Sequence, residues 1–219
     1  MLKGIIFDAD GTLLNSMKIW MELPSKFLKI YGKKTSKKIE QKIFSMTLEQ
    51  GCSFLKTVYK LPQSQEEIQN ELFSILEKSY KNEISLKKGV YNFLLFLKQN
   101  NIPMAIATSG NKSLLEYALL QNNYQHFFCK ILTCDELNTD KANPKIFTYL
   151  ARYFNAKPDE ILIFEDSFLP IKTAKNAGFN VVAIKDRYSY KDKSEIKNIS
   201  DLYLCNFSSK KLRNFIKKI

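Results

Sequence analysis

Short apolar runs that stop abruptly at polar residues decide what this chain can fold into. Leu2 to Phe7, Pro103 to Ala107, Ile161 to Phe164 and Val181 to Ile184 each read as a buried strand, with a weaker run at Lys130 to Thr133. Strands covered on both faces are apolar throughout rather than alternating, which is the habit of parallel sheets. Between the runs the spacing turns helical, as in Val90, Phe93, Leu94 and Leu97, or Leu114, Leu115, Ala118 and Leu119. This alternation predicts an α/β fold with a Rossmann-like, doubly wound parallel sheet.

From Ser16 to about Leu86 the strand pattern is missing. Ile68, Leu72, Ile75 and Leu76 recur at helical spacing there, and Leu61-Pro62 marks a break. The expectation is a core made of residues 1–15 and 87–219, interrupted after its first strand by a small all-helical insertion, residues 16–86. A chain of 219 residues suits one such core with a modest insertion better than two independent domains.

Charge narrows the function without fixing it. The chain carries 34 Lys and Arg against 22 Asp and Glu, a net +12 that attracts nucleic acid, acidic lipid and phosphorylated metabolites alike. Only Arg152, Arg187 and Arg213 are arginines, whereas base-reading proteins commonly use arginine forks. Neither a zinc finger nor a basic tract accompanies the charge, so a basic nucleic-acid-binding protein stands as the alternative from another class. Lys33, Lys34, Lys37 and Lys38 read as a solvated bend between helices. Cys52, Cys129, Cys134 and Cys205 form no CxxC pair, and His126 is the sole histidine, which leaves no Cys/His metal cluster and fits reduced thiols. Asp8 and Asp10 interrupt the N-terminal apolar run before it reaches signal-peptide length, and no other run is long enough to span a bilayer. A cytoplasmic monomer acting on a small molecule, with neither nucleic acid nor membrane as partner, is the expectation.

The chemistry sits where the runs end. Asp8-Ala9-Asp10-Gly11-Thr12 follows the first run, Thr108-Ser109-Gly110-Asn111-Lys112 follows the second, and Glu165-Asp166-Ser167 follows the third complete one. Ligands of open α/β sheets bind outside the carboxyl ends of strands. Each motif alone is equally a turn or a helix cap, the second one capping a helix at Ser113. Asp8, Asp10, Glu165 and Asp166 converging on one sheet edge would repel each other unless a cation or raised pKa values compensated. Hard oxygen donors without His or Cys favour Mg²⁺. Lys141, just ahead of Pro144 and the Ile146, Phe147, Leu150 helical pattern, offers a balancing charge.

In that order the four segments resemble the haloacid dehalogenase-like hydrolase superfamily, and the insertion after the first motif resembles the C1 cap of the subgroup holding beta-phosphoglucomutase and sugar-phosphate phosphatases. The resemblance implies that Asp8 is the nucleophile on phosphorus and Asp10 the acid/base that serves leaving group and water in turn. It implies that Thr108 and Lys141 hold phosphoryl oxygens, and that Mg²⁺ sits on Asp8, the Asp10 carbonyl and Asp166, with Glu165 joining through the metal shell. Dehalogenases of the superfamily lack the second aspartate, so Asp10 favours phosphoryl transfer. Caps like that of beta-phosphoglucomutase carry a His and an Arg where this chain has Trp20 and Leu48, which favours a phosphatase over a phosphomutase. Met17, Trp20, Met46, Thr47 and Gln50 are candidate substrate contacts from the cap, or equally its core. Ser109, Gly110, Asn111 and Lys112 are candidates from the core. Asn15, Ala142 and Pro170 depart from the residues common in the family, which are Asp, Pro and Gly.

Overall fold

The computed structural model describes residues 2–44, 46–121 and 123–219. They fall into two compact units, one of residues 2–15 and 85–219 and one of Ser16–Ile84. The first holds a six-stranded, all-parallel sheet of β1 (Gly4–Phe7), β2 (Met104–Thr108), β3 (Lys130–Thr133), β4 (Ile161–Glu165), β5 (Asn180–Ile184) and β6 (Leu202–Leu204). Their spatial order is β3-β2-β1-β4-β5-β6, so the winding reverses beside β1 and leaves a crevice at the carboxyl ends of the central strands.

Alternation of side chains across the pleat builds two cores from adjacent residues. On one face Phe7 stacks on Phe164 at 4.8 Å between ring centres, and Phe93 and Phe207 close the cluster, each 5.4 Å from Phe164 and 5.5 Å from one another. Phe93 comes from α5 (Val90–Gln99). On the other face Ile6, Ala105, Ile163 and Val181 pack against Ile146, Phe147 and Leu150 of α7 (Lys145–Tyr153), Ile171 and Ala174 of α8 (Phe168–Asn176), and Ile196 of α9 (Lys193–Ile199). Each fully buried side chain of this kind contributes about 1.5–3 kcal/mol. The remaining core helices are α6 (Lys112–Leu120) and α10 (Lys210–Ile216).

Strand limits differ from the sequence reading in ways that backbone chemistry explains. Pro103 lies outside β2 because it has no N–H for the ladder, although its carbonyl still accepts from Ile5 N. At the other end β2 and β4 run one residue further than their apolar runs, which makes Thr108 and Glu165 ladder residues paired with Thr133 and Ala183. β6 carries no apolar run in the sequence, since Leu202-Tyr203-Leu204 is three residues long and only Leu204 is buried.

The second unit is a bundle of α1 (Met17–Ile30), α2 (Lys37–Phe44), α3 (Leu48–Tyr59) and α4 (Gln65–Asn82). Reciprocal capping boxes start two of them: Thr47 with Gln50 opens α3, and Ser64 with Glu67 opens α4 just after the Leu61-Pro62 break. Ser85 and Leu86 belong to the core unit, because Asn15 N donates to the Ser85 carbonyl and Leu14 bridges Leu86. Lys33, Lys34, Lys37 and Lys38 are all exposed. The four cysteines are free, and among the described residues no helix is long and apolar enough to cross a membrane.

Candidate active site

Pairing of Phe7 with both Ile106 and Phe164 aligns the ends of β1, β2 and β4, so Asp8, Thr108 and Glu165 leave the sheet side by side. Asp8, Thr108, Lys141, Glu165 and Asp166 are all buried. Lys141 reaches in from the loop ahead of α7 and donates to Asp8 Oδ1 at 2.5 Å and to Glu165 Oε1 at 2.7 Å. The other oxygen of Glu165 accepts from the backbone N–H groups of Asp166 and Ser167, at 2.8 and 3.0 Å. With both oxygens occupied, Glu165 fixes the lysine and the turn that carries Asp166.

Asp166 is itself held from two directions. Thr12 Oγ1 donates to its Oδ1 at 3.3 Å and Ser189 Oγ to its Oδ2 at 2.8 Å. Neither hydroxyl was assigned a role from the sequence. Thr12 stands inside the first motif, whereas Ser189 is 23 residues downstream in a stretch without periodicity, and nothing local announces it.

Burial dominates the electrostatics. It pushes Asp8 up to about 7, with the charge of Glu165 adding to the rise and Lys141 opposing it. Asp166 is raised well above the ordinary carboxylate range by burial, then by Glu165 and Asp8. For Lys141 burial works toward discharge, but Asp8 and Glu165 override it and hold the ammonium more firmly protonated than usual. One lysine thus bonds two of three buried carboxylates, and ligand atoms of all three lie within 4.8 Å of one another. Asp8 Oδ2 is buried with no hydrogen-bond partner among the described residues. An orphaned anionic oxygen beside two further carboxylates, with no soft ligand in the group, suits a hard divalent cation that would also relieve the repulsion.

Two glycines allow the loops to close around these groups. Gly11 has φ +87, and a Cβ there would sit 2.7 Å from Asp166 Oδ2. Gly11→Ala is expected to cost about 1–3 kcal/mol from backbone strain alone, and to lower activity by displacing Asp166. A denaturant melt and a rate assay check this, and an unchanged melt would contradict it. At Gly110 a Cβ would lie 2.8 Å from Asp10 Oδ2 and 3.2 Å from Thr108 Oγ1, so the missing side chain brings those two groups to one spot. Gly110 N donates to Thr108 Oγ1 at 2.9 Å.

The flanking candidates have local partners. The helix placed at Ser113 begins at Lys112 instead, because Asn111 is its N-cap and accepts from Leu114 N. Lys112 pairs with Glu136 at 2.9 Å, and exposed Ser109 lies 3.5 Å from Cys134 Sγ. Within the helical unit a cavity of about 250 Å³ is lined by Met17, Trp20, Met46 and Thr47 among mostly apolar residues. Gln50 does not line it, since its side chain is used in the α3 capping box with Thr47. Trp20 Nε1 donates to Tyr80 Oη at 2.8 Å.

Departures from the usual family residues are accommodated. Ala142 N donates to Asp140 Oδ1, a bond proline could not give, and the Ala142 carbonyl accepts from Thr173. Pro170 falls in the first turn of α8, where backbone N–H groups lack intrahelical partners anyway.

A doubly wound parallel sheet with these residues at its switch point is an α/β fold of Rossmann-like topology, and the family model for haloacid dehalogenase-like hydrolases matches residues 5–184. The chain belongs to that family. It is 23% identical over 177 residues to a phosphorylated carbohydrates phosphatase of Thermotoga maritima, covering 81% of this chain and 82% of the other. It is 27% identical to (DL)-glycerol-3-phosphatase 2 of Arabidopsis thaliana, covering 83% and 79%. The crystal structure of CbbY from Rhodobacter sphaeroides in complex with phosphate superposes with a TM-score of 0.79 at 20% identity, over 95% of this chain and 96% of that one, a likeness of fold.

Proposed function

We propose that the chain is a Mg²⁺-dependent phosphatase that hydrolyses a small phosphorylated metabolite, a sugar phosphate or similar monoester, through an aspartyl-phosphate on Asp8. The observation that carries this reading is the buried set of Asp8, Lys141, Glu165 and Asp166 at the β1 switch point, with Asp8 Oδ2 left unpartnered. Relatives named for phosphorylated carbohydrates and for glycerol-3-phosphate support the substrate class.

Asp8 attacks phosphorus, and the bond from phosphorus to the leaving oxygen breaks as the bond to the carboxylate forms. Asp10 supplies the proton that the leaving oxygen takes, then removes one from the water that attacks the aspartyl-phosphate and frees inorganic phosphate. Thr108 and Lys141 hold phosphoryl oxygens, while Glu165 keeps the Lys141 ammonium in place. Asp8, the Asp10 carbonyl and Asp166 would hold Mg²⁺, with Glu165 in its surroundings, and Ser189 and Thr12 orient Asp166. When bound, Mg²⁺ supplies charge neutralisation between the attacking carboxylate and the phosphoryl dianion.

The test is phosphate release from a panel of an aryl phosphate, hexose 1- and 6-phosphates, glycerol 3-phosphate and nucleoside monophosphates, with Mg²⁺ and with chelator. Release is expected with Mg²⁺ and is expected to vanish with chelator. Metal-independent release, or isomerisation of a hexose phosphate without release, would overturn the reading.

A further inference from the structure

A second polar groove, of about 400 Å³, lies in the core unit and uses none of the catalytic residues. Four chain segments form it: Asn15 and Leu86 to Lys88, where the chain leaves and re-enters the core, Lys185 to Arg187 at the end of β5, and Cys205 with Asn206 at the end of β6. Four of its nine lining residues are Lys or Arg, against 34 of 219 in the whole chain, so the concentration exceeds what the general basicity delivers. Arg187 is one of only three arginines, and its guanidinium is free of any carboxylate partner among the described residues. The same holds for exposed Lys88 and Lys185.

The groove is built rather than incidental. At its base Lys87, with a side chain 11% exposed, donates to Asp186 Oδ2 at 2.8 Å and to the Lys185 carbonyl at 3.1 Å. Asp186 in turn accepts from Tyr188 N, which fixes the turn that presents Arg187. Backbone bonds from Asn15 N to Ser85 O, from Lys185 N to Leu204 O and from Phe207 N to Lys88 O tie the segments together. The only acidic lining residue is neutralised by Lys87, while Lys88, Lys185 and Arg187 are exposed, the Arg187 guanidinium lying 5.3 Å from the centre of the Tyr188 ring.

We infer that this groove binds a small polyphosphate anion, the di- or triphosphate group of a nucleotide or an inorganic polyphosphate, as a site separate from catalysis. Three cations lining one groove, one of them a planar fork, match several phosphate charges spaced along a short chain. A groove of this volume holds a small ligand. Ser189, which holds Asp166, is two residues beyond Arg187, so an anion on Arg187 grips the loop that supports the catalytic carboxylate.

The test is titration of the full chain with tripolyphosphate, and separately with ATP, in chelator and at fixed ionic strength. Wild type is compared with Lys88→Gln/Lys185→Gln/Arg187→Gln. A control of equal charge, Lys33→Gln/Lys34→Gln/Lys37→Gln, lies outside the groove. The groove variant is expected to bind at least tenfold more weakly while releasing phosphate from an aryl phosphate at the wild-type rate without polyphosphate. The control is expected to bind like wild type. ATP binding more tightly than tripolyphosphate assigns the ligand to the nucleotides, and equal binding to the phosphate chain itself. No binding by wild type, equal binding by the groove variant, or equal weakening in the control would overturn the assignment.

Discussion

Asp8→Asn is expected to reduce phosphate release by a factor of roughly 10⁴ or more, the scale on which removing a covalent nucleophile acts. The amide keeps the size and one acceptor oxygen of the carboxylate but cannot form the acyl-phosphate. Folding should be preserved, and the physical reason is specific to this site. Asp8 is one of three clustered carboxylates, two of which share the Lys141 ammonium, and its own pKa is raised to about 7 by burial and by Glu165. Replacing it with a neutral group removes an unfavourable buried charge, while Lys141 keeps Glu165 at 2.7 Å. A thermal melt in chelator is therefore expected to be no lower than wild type, and phosphorylated protein, trapped by rapid acid quench in wild type, is expected to be missing in the variant. Turnover close to wild type would sink the aspartyl-phosphate route. A collapsed melt would instead mean that the electrostatic account of the cluster is wrong.

Residues at punctuation points in the chain were the ones legible in the sequence. Asp8, Thr108 and Glu165 each follow or end an apolar run, and a parallel sheet necessarily gathers such ends at one edge. The helical insertion was legible for the opposite reason, a long stretch of 3.6-residue spacing with no strand pattern. Contacts that depend on tertiary closure were not legible. Ser189 reaches Asp166 across 23 residues, and Trp20 meets Tyr80 across 60, with no local spacing to announce either. β6 is too short and too exposed to print a pattern. For Gln50 the spacing from Thr47 fits a capping box three residues on as well as a pocket wall, and the structure shows the capping box.

Lys141→Met should be the most damaging substitution for stability, at roughly 3–5 kcal/mol, because removing one partner of a buried ion network strands the others. The Lys141 side chain is only 6% exposed, so water cannot substitute for the ammonium that Asp8 and Glu165 lose. The loss should also grow with pH. An acid whose folded pKa is raised binds more protons folded than unfolded between the two values, so its contribution to stability falls as pH rises through that window. For Asp8 in the wild type that window runs from 3.8 to about 7, and without Lys141 it widens upward. Urea melts in chelator at pH 5 and pH 8 measure this, with the larger deficit expected at pH 8. Adding Glu165→Gln to Lys141→Met should recover part of the deficit, since it removes one of the stranded charges, although the single Glu165→Gln change in wild type should itself destabilise. Opposite signs for the same substitution in the two backgrounds are the signature of direct coupling between the pair. Equal effects in both would mean that Lys141 is held by packing rather than by charge.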